Sequence, residues 1–114
     1  MKQIAVFLAN GFEEIEAITP IDVWRRAGFE VTTISIEDEN IVTGSHQISI
    51  VADTTKKDFE TKEFDLYFLP GGMPGARNLA ASTFVSEQLK QAHQQGKHLA
   101  AICAAPLVLG QLGL

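Results

Sequence analysis

One cysteine, Cys103, stands where the apolar run Leu99-Ala100-Ala101-Ile102 gives way to a stretch with Pro106 near its start. A thiol between a buried strand and a helix N-terminus meets backbone N–H groups and a helix dipole that favour negative charge, so the thiolate gains over its ordinary range. The small neighbours Ala101, Ala104 and Ala105 permit the tight strand-to-helix turn of a nucleophile elbow. The same cysteine among alanines also reads as a small buried hydrophobe, and this segment alone leaves both readings open.

Two other segments supply partners for such a thiol. Pro70-Gly71-Gly72 follows an apolar run and can present unencumbered backbone N–H groups to a developing oxyanion, or it is an ordinary turn. Its spacing matches neither a dinucleotide nor a P-loop fingerprint. Glu16, followed by Ala17 and Ile18, is either an exposed helical residue or a carboxyl held in an apolar site, able to share a proton with a thiolate. The histidines point elsewhere. His98 begins the strand that leads to Cys103, and five residues at about 3.3 Å each put it out of reach of the thiol. His93 lies on a polar helix, and nothing local brings His46 to the strand ends. No histidine pair has metal-ligand spacing with Cys103, so neither zinc nor a cofactor is expected.

These loops need elements to hold them. Gln3 to Ala9 reads as a strand buried on both faces of a parallel sheet. The helix after it opens with Glu13, Glu14 and Glu16 and closes with Arg25, Arg26 and Gly28, matching the dipole and the left-handed stop. Pro20 predicts a kink there, or a restart with Thr19 as cap. Phe29 to Ile36 reads as a second strand, Glu37-Asp38-Glu39 as a solvated turn, and Ile41 to Val51 as a small hairpin around Gly44. Asp53 to Lys62 is polar and weakly patterned. Phe64 to Leu69 is a strand, about Ser82 to Gln95 a helix, and Leu99 to Ile102 the last strand before a helical end. Strands alternating with helices predict a mainly parallel sheet covered on both faces, with Asn10 to Glu16, Pro70 to Gly75 and Cys103 gathered at the strands' C-terminal ends.

Composition excludes several classes. The 114 residues, 46% hydrophobic and 20% charged, suit one globular domain. Nine basic against fourteen acidic residues give a net charge of −5, which argues against a nucleic-acid partner. No apolar run has the length of a membrane helix and the start has no cleavage pattern, so a cytoplasmic protein is expected.

Four motifs in order resemble the ThiJ/PfpI superfamily, in the branch of the Parkinson's-disease protein deglycase and its bacterial homologues: Ala9-Asn10-Gly11-Phe12-Glu13-Glu14-Ile15-Glu16, the run Asp22 to Gly28, Leu69-Pro70-Gly71-Gly72, and Ala100 to Pro106 around Cys103. The resemblance implies a flavodoxin-like α/β three-layer sandwich with a mainly parallel sheet. It implies Cys103 as nucleophile, Glu16 as the acid hydrogen-bonded to it, and an oxyanion or substrate site at Gly71, Gly72 and Ala104. Peptidase-like and amidotransferase-like members place a histidine or glycine beside the nucleophile. Ala104 in that position favours the deglycase and glyoxalase branch, acting on small α-oxoaldehydes or glycated substrates. Two alternatives follow from the same resemblance: a redox-sensing or chaperone-like protein whose Cys103 is oxidised to sulfinate, and a glutamine amidotransferase-like domain. It further implies a homodimer, and relatives that continue well beyond residue 114. Residues 1–114 are therefore expected to be the N-terminal portion of a single domain, lacking its C-terminal segment and inactive alone.

Overall fold

The computed structural model describes residues 2–60 and 62–114. The chain runs β1 (Gln3–Leu8), α1 (Glu14–Arg26), β2 (Glu30–Ser35), β3 (Ile41–Thr43), β4 (Ser49–Val51), β5 (Thr54–Thr55), β6 (Leu66–Leu69), α2 (Gly75–Ala81), α3 (Thr83–Gln94), β7 (His98–Ala101) and α4 (Pro106–Gln111). Five strands form one sheet in the order β5-β2-β1-β6-β7, every pair parallel, and β3 and β4 form a separate antiparallel hairpin.

Alternation along β1 builds the three layers. Ala5, Phe7 and Ala9 face one cluster with Leu79 of α2, Val85, Leu89 and Ala92 of α3, and Val108 of α4. Ile4, Val6 and Leu8 face the other, with Phe12, Ala17 and Ile21 beneath α1 and Val42 and Ala52 from the hairpin region. Both faces of β1 are thus dry, as its unbroken apolar sequence predicts. Each fully buried Phe, Leu or Val on these faces contributes about 1.5–3 kcal/mol. The result is the flavodoxin-like α/β sandwich, with strands at the four places the apolar runs mark.

The departures are local. Helix α1 passes through Pro20 as one element, without a restart at Thr19. Pro20 is half-buried beside the core stripe, and the packing of Ala17 and Ile21 on either side offsets the lost helix hydrogen bond. Strand β5 arises inside a segment without apolar alternation, because Asp53 substitutes side-chain bonds for pattern: its carboxylate accepts from the Thr33 N–H at 2.8 Å, and its own N–H donates to Thr33 Oγ1 at 2.8 Å. Helix α2 fills the stretch the sequence pattern leaves unassigned between the Pro70 to Gly75 loop and the helix from about Ser82, held by a short apolar face made by Ala76 and Leu79. Ser82 ends α2 and caps α3, its hydroxyl accepting from the Val85 N–H. Among the described residues no helix is long and apolar enough to cross a membrane.

Candidate active site

The order of the sheet reverses beside β1: the chain moves outward to β2 and later returns to the other side of β1 as β6. At such a switch point the loops leaving adjacent strands part and open a crevice. Here the two loops are stitched together. The Glu13 N–H donates to the Gly71 carbonyl at 2.8 Å, and the Gly75 N–H donates to the Gly11 carbonyl at 3.1 Å. Gly72 has φ +99°, and a Cβ there would overlap the Glu13 N–H and the Phe12 carbonyl carbon, so glycine alone fits this crossing.

Glu16, in the first turn of α1, reaches back into that crossing. Its Oε1 accepts the Gly71 N–H at 3.1 Å. A Cβ on Gly71 would overlap Glu16 Oε1 and lie 2.8 Å from the Cys103 Cβ, so this buried glycine is the spacer between the acid and the thiol. The structure therefore brings Glu16, Gly71, Gly72, Cys103 and Ala104 to one place. It also divides the glycines' work: the Gly71 N–H is committed to Glu16 and is not offered to an oxyanion, while Gly72 shapes the crossing through its left-handed backbone.

Cys103 lies between β7 and α4 with φ +56°, a left-handed conformation for a residue that carries a Cβ. Holding a non-glycine residue there costs roughly 1–2 kcal/mol, and the turn is closed by the Ala105 N–H donating to the Ile102 carbonyl at 2.9 Å. The side chain is exposed, which removes the packing reading. The sequence expectation of a favoured thiolate is reversed in direction. Hydrogen bonding to Glu16 and the charge of that carboxylate push the thiol up, with burial adding to it, and the Ala104 N–H opposes only in part. The physical reason is position: α4 begins at Pro106 with Ala105 as its cap, so Cys103 precedes the helix terminus while the Glu16 carboxylate acts on it from α1.

Two functional candidates were not visible from sequence spacing. Glu14 is buried at 4% exposure, and its carboxylate receives the His46 N–H at 2.8 Å, the Ile48 N–H at 3.2 Å and the His46 ring Nδ1 at 3.0 Å. Burial pushes this carboxyl up, but the ring and backbone donors outweigh it and bring the group down to about 2. His46 Nδ1 also lies 3.3 Å from Glu13 Oε2. Bonding to Glu14, then the charges of Glu13 and Glu14, push the imidazole up from its ordinary range. The pairing spans 32 residues, so only the folding of the β3–β4 turn onto α1 reveals it. The three side chains present ligand atoms within 4.8 Å of one another, a set able to surround a cation. Glu14 already accepts three N–H donors, one of them from the His46 ring, so most of its bonding capacity is taken up by the hairpin. His93 and His98 stay exposed on α3 and at the start of β7.

A groove of about 720 Å³ lies elsewhere, between Phe29, Asp53, Phe59 and Phe64, and neither Glu16 nor Cys103 lines it.

The same architecture occurs in known proteins. Over 99% of its length the chain is 40% identical to protein DJ-1 homolog B of Arabidopsis thaliana, covering 26% of that protein. It is 38% identical to protein dj-1beta of Drosophila melanogaster, again over 99% of this chain and 60% of that one. The oxidized form of Toxoplasma gondii DJ-1 superposes with a TM-score of 0.95 at 41% identity, covering 99% of this chain and 62% of the other. The chain thus spans between about a quarter and three fifths of these relatives' lengths. The model of the DJ-1/PfpI family matches residues 2–114, and with the Glu16–Gly71–Cys103 arrangement in place, the chain belongs to the DJ-1/PfpI family.

Proposed function

We propose that the protein detoxifies small α-oxoaldehydes, or their early adducts with amines and thiols, by cysteine-dependent glyoxalase or deglycase chemistry. The observation that carries this reading is the convergence of an acid and an exposed thiol on one glycine, Glu16 and Cys103 around Gly71. The Cys103 sulfur adds to the aldehyde carbon as its proton passes to Glu16. The carbonyl electron pair becomes an alkoxide, held by the N–H groups of Gly72 and Ala104, and reprotonation gives a hemithioacetal. Glu16 then carries the proton from the former aldehyde carbon to the neighbouring carbon through an enediol, leaving a 2-hydroxyacyl thioester. Water cleaves the thioester, releasing a 2-hydroxy acid and restoring the thiol. One carbon is oxidised and its neighbour reduced, so no cofactor is needed. A thiol raised by Glu16 fits this sequence, because the proton needed later is present at the start.

A second reading is favoured by the exposure of Cys103: a redox sensor in which the thiol is oxidised and Glu16 bonds the product. The Toxoplasma neighbour, described as oxidized, supports the same possibility by analogy. A homodimer is supported by the exposed apolar side chains Ile15 and Ile18 on α1 and Ile48 and Val51 on the hairpin. A reduced thiol with no second cysteine suits the cytoplasm.

The deciding experiment follows lactate formed from methylglyoxal by the full-length protein and by Cys103→Ala. The expected result is turnover in the first and none above the uncatalysed rate in the second. Equal rates end the proposal, and selective gain of two oxygens at Cys103 under mild peroxide without any lactate favours the sensor.

A further inference from the structure

The hairpin that carries His46 is docked on the loop that leads into α1 by a dense set of bonds. The Gly11 N–H donates to the Thr43 carbonyl at 2.8 Å, the Thr43 N–H to Asn10 Oδ1 at 3.0 Å, and the Ser45 N–H to the Phe12 carbonyl at 2.8 Å. Gly44 is buried against Glu14, where any Cβ would overlap the carboxyl group. At the tip, the His46 ring bridges two adjacent carboxylates, Glu14 Oε1 at 3.0 Å and Glu13 Oε2 at 3.3 Å. Glu13 is at once the cap of α1, its side chain accepting the Ile15 N–H at 3.3 Å, and the residue whose own N–H grips the Gly71 carbonyl. Glu16 follows in the same helical turn and receives the Gly71 N–H.

The geometry points to His46 as a positioning residue: the ring, bridging Glu13 and Glu14, pins the first turn of α1 against the Gly71 loop and so holds Glu16 in place beside Cys103. The catalytic importance of this placement rests on the reading of Glu16 as the proton carrier given above; the latch itself does not. Glu13 and Glu14 are the charged groups that face the ring from α1, and Ser45 Oγ, 3.2 Å from Nδ1, is its neighbour within the turn. Both carboxylates face the one Nδ1, so protonation acts through charge: a neutral imidazole attracts neither electrostatically, whereas the imidazolium guarantees an Nδ1–H and attracts both.

The pH dependence follows in sign. His46 is pushed up in the folded protein, so its contribution is fully present below the ordinary histidine value of 6.5 and is lost as pH rises through the raised folded value. Glu14 is depressed to about 2, so its contribution is present above its ordinary value of 4.5 and is lost as pH falls through about 2. The latch is closed between these limits and opens on the alkaline side first.

The test uses the full-length protein. Nuclear magnetic resonance follows the His46 ring and the Gly71 amide from pH 5 to 9, alongside kcat and KM for methylglyoxal in the wild type, His46→Gln and His46→Arg. The Gly71 amide is expected to titrate with the midpoint of His46, and to lose that step in both variants. His46→Gln is expected to lower kcat about tenfold with little change in KM, inside the hundredfold that a misplaced catalytic group costs. His46→Arg, which keeps the charge at all these pH values, is expected to recover most of kcat and to flatten the alkaline fall. A His46 that titrates while the Gly71 amide stays still overturns the inference, as does a midpoint at or below the ordinary value. Should the wild type not turn methylglyoxal over at all, the proposed reaction fails while the two resonances still decide the latch.

Discussion

The two halves of the candidate site are built by opposite means. The acid sits in a frame where nearly every polar group is engaged: Glu16 on the Gly71 N–H, Glu14 on three donors from the hairpin, Glu13 on both the helix cap and the Gly71 loop. Cys103 stands on an exposed turn with a left-handed backbone and a short helix behind it. The proposed roles suit the two settings: a proton carrier needs fixed direction, which a bonded frame supplies, and a nucleophile needs access, which a strained elbow supplies at some cost in stability. The contrast predicts that overlap at the loop crossing shows as lost stability, that loss of the frame's charge shows as altered thiol reactivity, and that the elbow's strain shows as a small stability difference.

The largest effect is expected from Gly72→Ala. The new Cβ enters backbone at the crossing of the β1–α1 and β6–α2 loops, and backbone has no rotamer with which to yield. Left-handed strain adds to the overlap, for a loss on the order of 3 kcal/mol or more. Chemical denaturation measures it. A loss below about 1 kcal/mol would show that the two loops part easily and that the frame is not rigid.

Exchanging Glu16 for Gln tests the frame's hold on the elbow. Gln keeps an oxygen for the Gly71 N–H, so the fold is expected to persist, but the negative charge that pushes the thiol up is gone. Alkylation by iodoacetamide requires the thiolate, so the pH at which Cys103 becomes half-reactive is expected to fall in Glu16→Gln relative to the wild type. An unchanged midpoint would mean that the carboxylate does not govern the thiol, and the division of labour between the two halves would collapse.

How much of this was legible before the fold is uneven for physical reasons. Strands buried on both faces announce themselves as apolar runs, so β1, β2, β6 and β7 and the loops at their ends could be read directly from Gln3, Phe29, Phe64 and Leu99. The meeting of Glu16, Gly71 and Cys103 followed from parallel topology, which gathers strand ends whatever their distance in sequence. What escaped depends on single side chains acting at a distance. Strand β5 is held by Asp53 and Thr33, and α2 hides its apolar face among glycines and prolines. The direction of the thiol's titration depends on where α4 starts relative to a carboxylate from another element, and the Glu14–His46 pair on how one hairpin folds over one helix. No periodicity encodes such contacts.

The smallest predicted effect isolates the elbow itself. Cys103→Ala and Cys103→Gly both delete the thiol, but alanine keeps the Cβ that makes φ +56° costly, and glycine does not. Relief of left-handed strain favours glycine by roughly 1–2 kcal/mol, while its greater freedom in the unfolded chain takes back about 0.5–1 kcal/mol. Because the side chain is exposed, little packing is lost in either variant. Cys103→Gly is therefore expected to be more stable than Cys103→Ala by about 0.5–1 kcal/mol, read as the difference in denaturation midpoint at equal slope. If alanine proves the more stable of the two, the turn at Cys103 relaxes out of the left-handed region in solution, and the thiol is presented by flexibility instead of by strain.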